Sequence, residues 1–135
     1  MKNILVTSAG RRVSLIKAFR KSIKLLKTNS KVFITDLDIK TSPASYFADN
    51  SFKIGYFTDP NYIDNLLEIC LNNNISIVIP TLDTELALLT KAKNKFKNHG
   101  IHIIISSTKL IETLRDKIAT NAFFNSLNVK TPIIF

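Results

Sequence analysis

The chain has 135 residues, 45% hydrophobic and 21% charged, a composition suited to one globular domain that buries roughly 68% of its unfolded surface. No apolar run approaches the roughly 20 residues that cross a bilayer, strand-like sequence stands where a secretory signal would, and a single cysteine has no partner for a disulfide or thiolate metal cluster; a reducing, cytoplasmic setting fits. The net charge of +9 admits anionic partners, but both basic groups, Arg11 to Lys31 and the alternating Lys91, Lys93, Lys95 and Lys97, read mostly as solvated surface.

The first element is a strand, Asn3 to Thr7 (NILVT), which runs through Ser8–Arg12 into a helix across Arg12 to Lys27. Val13, Ile16, Phe19, Ile23 and Leu26 recur there every three or four residues and form one apolar face. KVFIT (Lys31 to Thr35) and SFKI (Ser51 to Ile54) are the second and third strands. TDPN opens the next helix, with Asp59 as cap and Pro60 in the first turn. Its inward positions are Tyr62, Leu66, Ile69 and Cys70, the cysteine being a small core residue. ISIVIP (Ile75 to Pro80) is the fourth strand. A third helix carries Leu86, Leu89, Ala92 and Phe96, and Gly100 closes it in the left-handed conformation. IHIII (Ile101 to Ile105) is the fifth strand. Strands apolar on both faces, alternating with helices, predict an α/β, Rossmann-like three-layer sandwich with a mostly parallel sheet.

Beyond Ile105 the pattern changes. SSTKLIETL is a short helix capped by Ser106 or Ser107. A second helix, capped by Asp116, turns Ile118, Ala122, Phe123 and Leu127 inward. Ile133 to Phe135 begins a strand with no partner, which predicts a chain cut at the start of a second domain: 1–107, then 108–135.

In such sheets ligands sit beyond the carboxyl ends of the strands, where strand order reverses. The residues that follow the strands are therefore the candidates. After the first strand, Gly10 serves a positive φ or a close backbone approach, and Arg11 and Arg12 stand at a helix start suited to an anion. Two solvated arginines on a tight turn is the plainer reading. No G-x-G-x-x-G is present, which weakens a dinucleotide site, so Asp36 is open between a ribose-binding acid and a turn residue. After the fourth strand, Asp83 is either an N-cap or a ligand group, and Glu85 is the stronger ligand candidate of the pair. His99 and His102 lack companions for a metal site, and no nucleophile–base pair presents itself.

Five stretches in register, MKNILVTSAGRRVSLIKAF, TDLDIKTSPASYFAD, TDPNYIDNLLEIC, IVIPTLDTEL and RDKIATNAFFNSLNVKTP, resemble the N-terminal part of ATP-grasp enzymes similar to the carbamoyl-phosphate synthase large subunit. The resemblance covers essentially the whole chain. It implies a pre-ATP-grasp domain that forms one wall of a substrate site, in an enzyme that phosphorylates a carboxylate or bicarbonate to an acyl phosphate attacked by an amine. By resemblance, Gly10 and Arg11 or Arg12 face that substrate, Asp83 and Glu85 line the same crevice, and Lys117 contacts the nucleotide. ATP and Mg2+ would be bound mainly by lobes absent from this sequence, so the fragment alone is expected to be inactive. The implied partners are the rest of the same polypeptide and a small carboxylate, with no membrane and a homodimer left open. The rival readings are a free-standing nucleotide-binding module and, with less support, a basic nucleic-acid-binding domain.

Overall fold

The computed structural model describes residues 2–132. The chain divides into two compact units between Ile105 and Ser106, just before the expected boundary at 107.

The first unit contains a five-stranded sheet, all parallel. Its strands are β1 (Asn3–Thr7), β2 (Val32–Asp36), β3 (Asn50–Lys53), β4 (Ile75–Pro80) and β5 (His102–Ile103), in the order β3-β2-β1-β4-β5. The helices are α1 (Val13–Leu25), α2 (Tyr62–Asn72) and α3 (Asp83–Lys97). Side chains alternate across the pleat, so the central strands feed two cores. Val6, Val32 and Ile34 pack with Ile16 of α1 on one face. Leu5, Phe33 and Val78 pack with Leu66 and Cys70 of α2 and Leu89 and Phe96 of α3 on the other. This is the three-layer arrangement that the doubly apolar strands predict. Gly100 has φ 73°, the left-handed helix end expected of it.

Several local expectations are corrected. Asp59 does not cap α2. The N-cap is Asn61, and the Asp59 carboxylate instead accepts from the Asn61 N–H at 2.8 Å, bracing the turn ahead of the helix. Leu26 is exposed because α1 ends at Leu25 before its last apolar position reaches the sheet. The fifth strand shrinks to two residues. A 3-10 turn at Pro43–Phe47, too short to show a period, joins β2 to β3.

The second unit contains α4 (Thr108–Arg115) and α5 (Lys117–Ser126). Ser107 caps α4, accepting from the Leu110 N–H at 3.3 Å, and Asp116 caps α5, accepting from Ile118 and Ala119 at 2.7 and 3.0 Å. Ile118 and Leu127, expected inward, are exposed, and α5 has no buried residue. Amphipathic spacing names a face but supplies no layer to cover it. The expected strand at 133–135 lies outside the described residues. No described helix is long and apolar enough to cross a membrane.

Candidate functional site

From β1 the chain moves outward to β2 and β3, then crosses back to place β4 on the other side of β1. The order therefore reverses between β1 and β4, and the two loops that leave those strands part there. With the loops after β2 and β3 they enclose a cleft of about 780 Å³.

Hydrogen bonds made by the backbone of Ala9 and Gly10 help to hold the loop after β1. The Ala9 N–H donates to the Thr35 carbonyl at 3.1 Å, the Gly10 N–H to Asp36 Oδ2 at 2.6 Å, and the Gly10 carbonyl accepts from Ala44 at 3.0 Å. A Cβ on Gly10 would lie 2.5 Å from Asp36 Oδ2, so the glycine serves close approach. The positive φ of this turn falls instead on Ser8, at 50°, a conformation that costs a non-glycine residue roughly 1 kcal/mol or more.

Arg11 is exposed, lines the cleft and makes no hydrogen bond or ion pair with another described residue. Arg12 also lines it, and its Nη2 donates to the Thr81 carbonyl at 3.0 Å, tying the loop after β1 to the loop after β4. Arg12 is the N-cap of α1, which has neither a side-chain cap nor an acidic residue in its first turn. That leaves positive helix-end potential beside two guanidinium groups, a setting that favours an anion.

Glu85 and Asp83 depart from the sequence reading. Glu85 is fully buried and does not line the cleft. Its carboxylate accepts from Thr7 Oγ1 at 2.7 Å, Ser8 Oγ at 3.2 Å, the Tyr62 hydroxyl at 2.7 Å and the Thr81 N–H at 3.3 Å. The expected ligand group is thus a staple that joins β1, the loop after β4 and α2 from behind the site. Burial first, then the Glu85 charge and hydrogen bond, hold the Tyr62 phenol well above its ordinary range. Asp83 is neither cap nor lining: Leu82 is the N-cap, and Asp83 is the exposed first residue of α3.

Two features escaped the sequence reading, and a third settles between alternatives it left open. Asp36 and Asp38 brace their own loop: Asp36 Oδ1 accepts from the Asp38 N–H at 3.4 Å, and Asp38 accepts from Lys40 N–H and the Thr41 hydroxyl, both at 3.0 Å. Asp36 therefore serves the turn. Ser42, 3% exposed, lines the cleft with a hydroxyl that finds no partner among the described residues. Ile54, Tyr56 and Phe57 supply an apolar wall from the loop after β3. Only Tyr62 left a trace in the sequence: a tyrosine at an inward helix position asks for a polar partner.

Two further titratable candidates lie each within its own unit. Lys117 is the exposed first residue of α5, in the second unit. Burial pushes the Cys70 thiol up to about 12, which suits a core residue. Among the described residues no three His, Cys, Asp or Glu side chains group to hold a metal ion. The cleft has the groups to capture an anion and to shelter an apolar side chain.

No curated protein matches the sequence. Solved structures share its fold. The pyruvate carboxylase of Rhizobium etli matches with TM-score 0.64 and 18% identity over 99% of this chain and 13% of that one. The biotin carboxylase domain of the Hydrogenobacter thermophilus 2-oxoglutarate carboxylase gives 0.62 and 19% over 96% and 28%. A biotin carboxylase subunit of pyruvate carboxylase gives 0.58 and 20% over 96% and 28%. The chain thus spans less than a third of each of these proteins. The family model described as PylC-like, N-terminal domain, matches residues 4–104. With its five parallel strands and the cleft at their carboxyl ends, the chain belongs to that family, the pre-ATP-grasp domain of ATP-grasp enzymes.

Proposed function

We propose that this domain forms the substrate-side wall of an ATP-dependent carboxylate–amine ligase that activates a carboxylate, or bicarbonate as in carbamoyl-phosphate synthase, as an acyl phosphate. The observation that carries the reading is Arg11: a guanidinium without a partner among the described residues, at the mouth of the switch-point cleft beside the uncapped start of α1. A carboxylate placed there meets a planar double donor and the positive end of a helix. Charge that grows as it becomes an acyl phosphate is stabilised by the same groups. Arg12, tied to Thr81, keeps the two loops together around it.

ATP and Mg2+ belong to this proposal as the source of the phosphoryl group. The nucleotide and ion are assigned mainly to further lobes of the protein, with Lys117 as this chain's contribution. The Hydrogenobacter thermophilus domain was solved with MgADP and bicarbonate, a combination of ligands that supports the reading.

The test is kinetic, on the full-length enzyme. Loss of a charge-assisted contact of about 1.5–3 kcal/mol predicts that Arg11→Ala lowers kcat/KM for the carboxylate by about 10- to 150-fold. The KM for ATP should stay within about twofold. Lys117→Ala should show the reverse selectivity. An Arg11 variant that loses ATP and carboxylate affinity equally ends the assignment.

A further inference from the structure

The net charge of this chain has a single location. Residues 1–35 contain nine of the 19 lysines and arginines and none of the ten acids, while the other hundred residues carry ten of each and are neutral. Arg11 and Arg12 belong to the cleft. Six more cluster around α1 and just after it: Lys17, Arg20, Lys21, Lys24, Lys27 and Lys31, all exposed. The first four recur at i, i+3, i+4 and i+7, which lines them along one side of the helix.

This stripe is scarcely neutralised. Its one carboxylate neighbour among the described residues is Asp49, and that group is already occupied: Oδ1 pairs with Arg20 at 3.3 Å and Oδ2 accepts from the Val32 N–H at 2.8 Å. Lys17 lies 4.2 Å above the Phe47 ring. Lys21, Lys24, Lys27 and Lys31 form no side-chain ion pair with any described residue. Leu25, 72% exposed, stands beside the stripe one helical turn beyond Lys21; Leu26, 73% exposed, follows it as the C-cap at the end of the helix. Between the stripe and the segment leading into β2 there is a shallow cleft of about 490 Å³, in which Ile23, Thr28 and Ser30 lie among Arg20, Lys21 and Lys24, with the already occupied Asp49 at its side. It precedes β2, so it sits at the amino edge of the sheet, away from the substrate cleft at the carboxyl edge.

We infer that this face of α1 docks a partner protein through an acidic surface segment that carries apolar side chains. Charge selects an anionic partner and steers it in. The leucines narrow the choice: a nucleic-acid backbone offers nothing apolar to cover them, and no exposed aromatic ring on α1 awaits a base. The cleft narrows it again, because a flat lipid surface has no side chain to seat between Arg20 and Lys24. Exposed apolar side chains bordering a charged surface suit a protein partner better than a purely anionic one. The site is separate from the ligase chemistry proposed above and stands or falls independently of it.

The test uses a fluorescein-labelled amphipathic helical peptide, Glu on one face and Leu on the other, followed by anisotropy. Binding should weaken as salt rises from about 50 to about 200 mM. Lys21→Glu with Lys24→Glu should weaken it by at least about tenfold, since two attractive contacts become repulsive. Leu25→Ser with Leu26→Ser should cost at least about threefold, and a peptide with Leu replaced by Ser should bind the wild type correspondingly less well. These exposed substitutions should leave the chain folded, with a small drop in melting temperature for the Lys24 reversal in the last turn of α1. No binding of the peptide at low salt overturns the inference. So does tighter binding of duplex DNA or phosphatidylglycerol vesicles, or affinity that is indifferent to both sets of leucines.

Discussion

α1 and α3 both begin just after neighbouring central strands, at the same edge of the sheet, yet their first turns are built in opposite ways. The start of α3 is closed: Asp83 and Glu85 supply the negative charge its helix end favours, and Glu85 is buried with four donors. The start of α1 is open: two arginines and no acid, in a pair of helices of which neither has a side-chain cap. One end satisfies itself, so it holds the architecture. The other leaves its positive potential unspent, and it is the end to which the proposed function assigns the ligand. On that proposal the acidic residues after β4 serve the frame and the cations after β1 serve the site.

The strongest way to break this contrast is to open the closed end. Glu85→Ala leaves the Thr7, Ser8 and Tyr62 hydroxyls and the Thr81 N–H without their acceptor in a buried space, at an expected cost of about 3–5 kcal/mol. Urea unfolding of the chain measures it. Glu85→Gln keeps the volume but returns a donor where four donors converge, and should lose at least about 1 kcal/mol. An alanine variant destabilised by less than about 1 kcal/mol would return Glu85 to the candidate ligands.

Next in size is Gly10→Ala. Its Cβ would meet Asp36 Oδ2 at 2.5 Å, so the loop must shift or lose the Gly10–Asp36 hydrogen bond. We expect a loss of about 1–3 kcal/mol. Asp36→Ala should be milder, and in the double variant the alanine at 10 should cost much less than it does alone. A strictly additive double mutant would show that the clash is not with Asp36.

The sequence made the frame legible for a plain reason: β1 and β4 are short β-branched runs closed by a turn or a proline, so local composition suffices to place them. The role of Glu85 was not legible, because its partners Thr7 and Ser8 lie 78 and 77 positions away. Only the strand order brings them to it. Gly10 similarly depends on Asp36, 26 positions on. Arg11 and Arg12 were visible as a helix start with cations, but the tie from Arg12 to Thr81 needed the return crossing to β4. The unpartnered Ser42 hydroxyl depends on a 3-10 turn that has no period to read.

A smaller effect sharpens the contrast from the buried side. Cys70 and Tyr62 both have acidities weakened by burial, the thiol moving from 9.0 to about 12. Their neutral forms favour the folded state, so this stability is complete below pH 9. It falls as the unfolded thiol, and later the unfolded phenol, ionise. Near pH 10 the thiol alone should cost on the order of 1 kcal/mol. Cys70→Ala should flatten the first part of that alkaline limb, despite a lower starting stability. An identical slope in the variant would assign the limb elsewhere.

The smallest effects concern the two helix starts themselves, and there the sign matters more than the size. Asp83→Ala removes an exposed charge from the favourable end of α3 and should cost about 0.3–1 kcal/mol at low salt. Arg11→Ala removes a cation from the unfavourable end of α1, so it should leave the chain as stable as before or a few tenths of a kcal/mol more stable. Both differences should shrink as salt is raised. A residue kept where it slightly opposes folding is better explained by binding than by architecture. If Arg11→Ala instead destabilised the chain by about 1 kcal/mol or more, the arginine would belong with Glu85 to the frame, and the open end of α1 would lose its meaning.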